Sequence, residues 1–261
     1  MTLLERHDKN AVAHLRMNAP EKLNALSEAM LAALQNEFDD LSQDHSIRAV
    51  ILSGAGKAFC AGHDLKEMTA GRQSEDGGKA YFKSLFNTCA KMMASIQKLP
   101  QPVIAKVHGI ATAAGCQLVS SCDLAVAEEG ARFGVNGVNI GLFCSTPMVA
   151  LSRNIHRKKA FEMLTTGHFI NAETAQEYGL INRVVRPEDL DTITEELAET
   201  ISSKLAAAVK IGKEAFYKQL EMSLEDAYAY TGGVMVENML YRDTKEGISA
   251  FIEKRDPTWE Q

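Results

Sequence analysis

The chain of 261 residues can form one large domain or two small ones around a substantial core, with 46% hydrophobic and 24% charged residues. Its 28 Lys+Arg against 34 Asp+Glu give a net charge of −6, which argues against a general nucleic-acid or membrane-surface role and leaves any anionic ligand to local basic residues. No apolar run approaches the roughly 18 residues of a spanning helix, and the opening MTLLERHDKN has neither a signal-type apolar region nor a transit-peptide composition, so a cytoplasmic protein is expected.

In chain order, Thr2–His7 and Asn10–Met17 read as two strands joined by the turn Asp8-Lys9-Asn10. After the loop NAPEKLNAL, Ser27 reads as a helix N-cap, followed by Met30, Leu31, Leu34, Phe38 and Leu41 at helical spacing. Arg48–Ser53 is a buried-strand candidate that ends in Gly54-Ala55-Gly56. The polar, Gly-rich stretch Gly71–Gly78 is expected to be a mobile loop. A helix is predicted over Lys79–Lys98, stopping ahead of Pro100 and Pro102. Val103–Val107 is a strand, a short helix begins near Ala113, and Leu124–Ala127 is another strand. Beyond about Pro147 the pattern is mainly helical, interrupted by Ile181–Val185. The stretches Leu224–Leu240 and Gly247–Lys254 are amphipathic and suited to packing on a neighbouring subunit. The alternation of strands and helices places the chain in the α/β class.

Five cysteines (Cys60, Cys89, Cys116, Cys122 and Cys144) show no C-x-x-C pairing. They read as small buried apolar residues, not as a disulfide framework or a zinc site. The strand RAVILSG running into GAGKAF invites a dinucleotide reading, but Phe59 stands where the third glycine of that fingerprint is needed, and no Walker A sequence occurs.

Two segments carry the chemistry: FCAGHDLKEM (Phe59–Met68) and KVHGIATAAGCQLVSSCD (Lys106–Asp123). Each puts a small-residue turn after an apolar strand-like run, and the second opens into a helix. Two fixed backbone N–H donors of this kind suit a thioester carbonyl oxygen that gains negative charge, because they cost no reorganisation as the charge develops.

On these residues the chain resembles the crotonase, or enoyl-CoA hydratase/isomerase, superfamily. The resemblance covers nearly the whole length: APEKLNALS, RAVILSGAGKAFCAGHDLKEM, PQPVIAKVHGIATAAGCQLVSSCDLAVA, ARFG, AFEMLTTGHFINAETAQEYGLINRVV and EGISAFIEKR. The stretch IGLFCSTPMVALSRNIHRKKAF, with FYKQL and the closing EKRDPTW, marks one branch of that superfamily. The fold it implies is a repeated β-β-α spiral core over residues 1–200, followed by a C-terminal helical trimerisation or lid region over 201–261. It also implies an acyl-CoA substrate from fatty acid metabolism, with coenzyme A as part of that substrate, no permanently bound cofactor and no metal. The expected assembly is a homotrimer or homohexamer with no nucleic-acid or membrane partner.

Residue by residue, the resemblance places the oxyanion-hole N–H groups at His63 and Ala114. It places coenzyme A contacts at Lys22, Ala25, Leu26, Ala61, Asp64, Leu65, Lys66, Phe251 and Lys254. The two glutamates that hydratases use as acid and base are absent: Gln117 and Gly137 stand in their positions. Glutamine cannot take a proton near neutral pH and glycine has no side chain, so efficient hydration by the usual route is not expected. Asn136 and Asn139 flank the gap and could position a water; Asp123 is expected to be structural, Glu128 and Glu129 solvated, and Glu67 a surface cap. Cys144 and Ser145 are expected to line the acyl pocket. Three readings stay open at this point: a thioester hydrolase or decarboxylase, a weak hydratase or isomerase, and a non-catalytic acyl-CoA binder.

Overall fold

The computed structural model describes residues 2–260. The chain opens with the hairpin β1 (Leu4–Lys9) and β2 (Val12–Met17), then α1 (Glu28–Leu41), β3 (Ala49–Gly54), α2 (Leu65–Gly71) and α3 (Lys79–Lys98). Next come β4 (Val103–Val107), β5 (Ile110–Thr112), α4 (Ala114–Ser121), β6 (Leu124–Glu128) and β7 (Arg132–Gly134). The rest is mainly helical: α5 (Pro147–Asn154), α6 (Arg157–Thr166), α7 (Ala172–Tyr178), α8 (Leu190–Ser202), α9 (Ala206–Gln219), α10 (Leu224–Met239) and α11 (Arg242–Glu253). The short strands β8 (Ile170–Asn171) and β9 (Arg183–Val185) flank α7.

A six-stranded sheet runs β1-β2-β3-β4-β6-β9. Only the first pair is antiparallel; β2 through β9 are parallel, with Val12 opposite Ala49, Val50 opposite Val103 and Ile104 opposite Leu124. Parallel strands are covered on both faces, which is why β3 reads AVILSG without alternation. One face packs Leu15, Val50, Leu52 and Ala105 against α1 and α3; the other packs Val12, Ile51, Ile104 and Val126 against Leu190 and Ala198 of α8. A second, three-stranded sheet pairs β5 parallel to β7 and β7 antiparallel to β8.

The hairpin turn falls at Asn10-Ala11, not at the predicted Asp8-Lys9-Asn10, because these two residues take φ of 52° and 60°, as a two-residue turn matching strand twist requires. After the small-residue turn, the chain becomes helical from Leu65, since Asp64 accepts the N–H groups of Lys66 and Glu67 as an N-cap. The Gly-rich stretch before α3 is a hydrogen-bonded turn in which Asp76 accepts from the N–H groups of Gly78 and Ala80. The strands β5 and β7 went unpredicted because each is only three residues long.

α9 is anchored to the core by a buried network. Lys213 Nζ donates to Asp123 Oδ2 at 2.6 Å and to the carbonyls of Ile96 and Gln101, while Tyr217 donates its hydroxyl to Asp123 Oδ1. Asp123 is therefore the structural residue the sequence suggested. Burial pushes the Lys213 ammonium below its ordinary value despite this pairing. By contrast, α10 buries none of its residues within the chain. Leu224, Tyr228 and Met235 stand exposed along it, as do Leu240 at its end and Phe251 and Ile252 on α11.

Candidate active site

Two turns from different parts of the chain are held side by side at the junction of the two sheets. Cys60 N donates to Ile110 O and Thr112 N to Cys60 O, so the segment before the first turn runs parallel to β5 like an extra strand. Gly62 (φ +87°) packs so tightly on the second turn that a Cβ there would lie 3.0 Å from Ala113 Cβ and 3.2 Å from Ala114 N. At Gly115, a Cβ would fall 2.1 Å from Cys60 O, so only glycine permits α4 to begin this close to the first turn.

The surrounding backbone bonds then leave specific donors free. Ala61 N donates to Leu23 O, Leu26 N to Gly62 O, Ala113 N to Gly134 O and Gln117 N to Ala113 O. Among the described residues, neither His63 N nor Ala114 N has a backbone acceptor, and Ala114 is the first residue of α4. Ala114 N therefore carries the partial positive charge of a helix start. Ala113 holds φ 51° and ψ −119°, a conformation that costs an L-residue on the order of 1–3 kcal/mol and concentrates at functional turns.

The His63 side chain is placed as wall, not as part of the donor pair. Its ring meets Phe86 edge-on at 5.7 Å and its Nδ1 lies 3.3 Å from Leu26 O, while Nε2 is buried with no partner among the described residues. Burial holds the imidazole below its ordinary value, outweighing the Leu26 carbonyl, so it is neutral at pH 7.

The acid–base positions are different in kind. Gln117 is buried on α4, and its Oε1 has no hydrogen-bond partner among the described residues. Gly137 sits in a 3-10 turn (Asn136–Ile140), and a Cβ there would meet Leu142 O at 2.3 Å and Cys144 Sγ at 2.9 Å. A side chain at this position has no room, because the space is already taken by the 142–144 backbone and the Cys144 thiol. Asn136 Oδ1 is engaged by Thr112 Oγ1 at 2.6 Å, and Asn139 Nδ2 donates to Gly167 O instead of facing the gap.

Of the predicted coenzyme A positions, the structure gathers Lys22, Ala25, Leu26, Ala61, Asp64, Leu65 and Lys66 around the first turn. Lys22 Nζ lies 3.2 Å from Asp64 Oδ2. Burial would raise the Asp64 carboxyl, but the hydrogen bonds from Lys22 and from the α2 amides prevail and hold it below the usual range. Phe251 and Lys254 are not brought there: both are exposed, and the bonds of their segment run elsewhere, Arg255 to Glu246 and Trp259 Nε1 to Ser203 O. Glu67 caps α1 by accepting from Glu28 N, as expected of a cap. Glu128, expected to be solvated, instead accepts from Gly109 N at 2.8 Å and braces the turn into β5.

The thiols are free and buried, and burial pushes Cys60, Cys89 and Cys116 up to about 12, which removes them as nucleophiles. Cys144 and Ser145 do not line the cavity beside the turns. That cavity, about 410 Å³, is formed by Leu65, Met68, Phe82, Phe86, Leu142 and Arg72, among others. Its walls were missed in the sequence because no helix was predicted over Leu65–Gly71; the spacing of Leu65, Met68 and Arg72 on one helical face is the signal that would have found them. No cluster of three or more His, Cys, Asp or Glu able to hold a metal occurs among the described residues.

With this geometry in view, a family model described as enoyl-CoA hydratase/isomerase matches residues 7–261. A Xenopus laevis protein, enoyl-CoA hydratase domain-containing protein 3, mitochondrial, is 46% identical over 99% of this chain and 86% of its own length. Among solved structures, an enoyl-CoA hydratase from Mycobacterium smegmatis is 54% identical with a TM-score of 0.96, covering 100% of both chains. Human enoyl-CoA hydratase domain-containing protein 3 is 44% identical with a TM-score of 0.94 over 98% of this chain and 100% of its own. These relatives bear out the branch marked by IGLFCSTPMVALSRNIHRKKAF and the crotonase-type fold. They overturn the cytoplasmic expectation, since the Xenopus and human proteins are named mitochondrial.

Proposed function

The chain belongs to the enoyl-CoA hydratase/isomerase family, and within that family we propose that it binds acyl-CoA thioesters and polarises their carbonyl without the carboxylate pair that adds water to an enoyl group. The thioester oxygen is held by His63 N and Ala114 N, the coenzyme A portion lies along the loops bearing Lys22, Leu26, Asp64 and Lys66, and the acyl chain enters the cavity beside α2. Coenzyme A comes and goes as part of the substrate. Lysines serve its phosphates as point charges; Lys22 and Lys66 are the available ones at this edge.

The observation that carries this reading is a pair of amides, on two tightly packed turns, with no backbone acceptor among the described residues, together with a Gly137 position that has no room for a side chain. Such a site favours reactions in which carbonyl polarisation does most of the catalysis, such as thioester hydrolysis or loss of a carboxyl group next to the carbonyl, over those that need a strong base at the β-carbon. The test has two readings. With crotonyl-CoA, loss of the conjugated enoyl absorbance should be slower than for a two-glutamate hydratase by roughly 10²- to 10⁴-fold; turnover within about tenfold defeats the claim. With an isotope-labelled thioester carbonyl, bound acyl-CoA should show a lowered C=O stretching frequency, and an unshifted band means the amides do not act.

The chain works as a trimer-based oligomer in this reading. What supports it is the uncovered apolar surface of α10 and α11, including Leu224, Tyr228, Met239, Leu240 and Phe251, the kind of surface that marks an interaction face when it is contiguous. Light scattering that gives a monomer contradicts it.

A further inference from the structure

The cavity beside the turns holds one cation that the polarisation of a carbonyl does not require. Leu65, Met68, Phe82, Phe86 and Leu142 make its walls apolar and aromatic, whereas Arg72, directly after α2, lines the same space. The guanidinium of Arg72 sits over the Phe82 ring, 5.4 Å from its centre, within cation–π reach. Among the described residues no carboxylate lies within ion-pairing distance of it. The acidic residues of the same stretch are committed elsewhere: Asp64 to Lys22 and the α2 amides, Glu67 to Glu28 N, and Asp76 to the start of α3. Glu75 is exposed and makes no ion pair with Arg72.

Resting on the acyl-CoA reading above, we infer that this site selects acyl thioesters whose chain ends in a carboxylate, with the methylenes against Leu65, Met68 and Phe86 and the terminal carboxylate on the Arg72 guanidinium. The geometry allows it. The donor His63 N lies two residues before α2 and Arg72 directly follows that helix, so the turn pair and the guanidinium stand at opposite ends of the α2 wall of the cavity. Arginine suits the task because its planar fork meets a carboxylate in bidentate fashion and it stays charged at any working pH. An apolar chain of equal length fills the same walls but leaves the guanidinium to water.

The experiment compares adipyl-CoA with hexanoyl-CoA, chains of equal length that differ in the terminal carboxylate, by titration calorimetry on the purified protein and on Arg72→Met and Arg72→Lys. The wild type should bind adipyl-CoA at least about tenfold more tightly, in keeping with a charge-assisted pair. Arg72→Met should abolish the preference by weakening adipyl-CoA relative to hexanoyl-CoA, and Arg72→Lys should keep part of it. Equal affinities in the wild type, or a preference that survives Arg72→Met, overturns the inference alone and leaves the acyl-CoA reading standing. Failure of both ligands to bind overturns the acyl-CoA reading, and the inference falls with it.

Discussion

The turn pair around His63 and Ala114 and the neighbouring gap around Gln117 and Gly137 occupy the same site, yet they have been treated in opposite ways. The first is made of main chain: its donors are N–H groups that any residue but proline supplies, so Ala113, Ala114 and a histidine are all accommodated there. The second would depend on side chains of one chemical type; Gln117 and Gly137 supply no carboxylate there, and the space at Gly137 is taken by the backbone of Leu142 and the thiol of Cys144. Backbone donors tolerate a change of side chain that a carboxylate position does not.

Forcing the two turns apart is the strongest way to break that contrast. Gly115→Val places carbon where Cys60 O already stands; overpacking of this kind destabilises by roughly 1–3 kcal/mol, measured by denaturant unfolding. Loss of a donor from the carbonyl costs on the order of 10²-fold or more in any carbonyl-dependent turnover, and the infrared shift of a bound thioester should vanish with it.

The gap can be probed from the other side. Gln117→Glu should add a small hydration activity that grows with pH, because burial raises a carboxyl above its ordinary value and keeps it protonated near neutrality. Adding Gly137→Glu should give no further gain and should lower the unfolding midpoint, since the new side chain has no room beside Leu142 O. A gain from the double variant comparable to roughly 10²-fold, read from crotonyl-CoA turnover, would show the two regions to be alike after all.

A smaller effect sharpens the comparison within the turn itself. Ala113→Gly relieves the positive φ and should stabilise the fold by up to about 1 kcal/mol with carbonyl polarisation intact, as followed by thermal unfolding and the infrared band. The smallest effect concerns the His63 ring. Its pKa is lowered on folding, so the unfolded chain binds the extra proton more readily; the folded state keeps its full stability above the ordinary imidazole value of about 6.5 and loses stability as pH falls below it. His63→Phe should remove that acid-side loss and leave the thioester band where it was, because the donor is the amide.

Much of this site was legible in the sequence because it is written in small residues. The turns CAGH and ATAAGC, the capped start of α1 at Ser27 and the buried run AVIL each announce one structural consequence, and each is found in place. The absence at Gln117 and Gly137 was equally plain. What was not legible arises from contacts between distant segments: that Asp64 caps a helix of its own, that Glu128 braces the turn at Gly109, and that Leu142 O closes the space over Gly137. The cavity walls on α2 and α3 come together only through tertiary packing, so no single stretch of sequence displays them. Phe251 and Lys254 were carried over by resemblance, and within one chain the fold leaves them apart from the loops they were expected to join.

The crowding over Gly137 ties two segments of the chain together. Leu142 O and Cys144 Sγ stand where a side chain at 137 would begin, so a carboxylate cannot be placed there by one exchange without shifting the 142–144 segment. Installing an acid at that point therefore calls for two coupled changes, one at residue 137 and one in the segment that covers it.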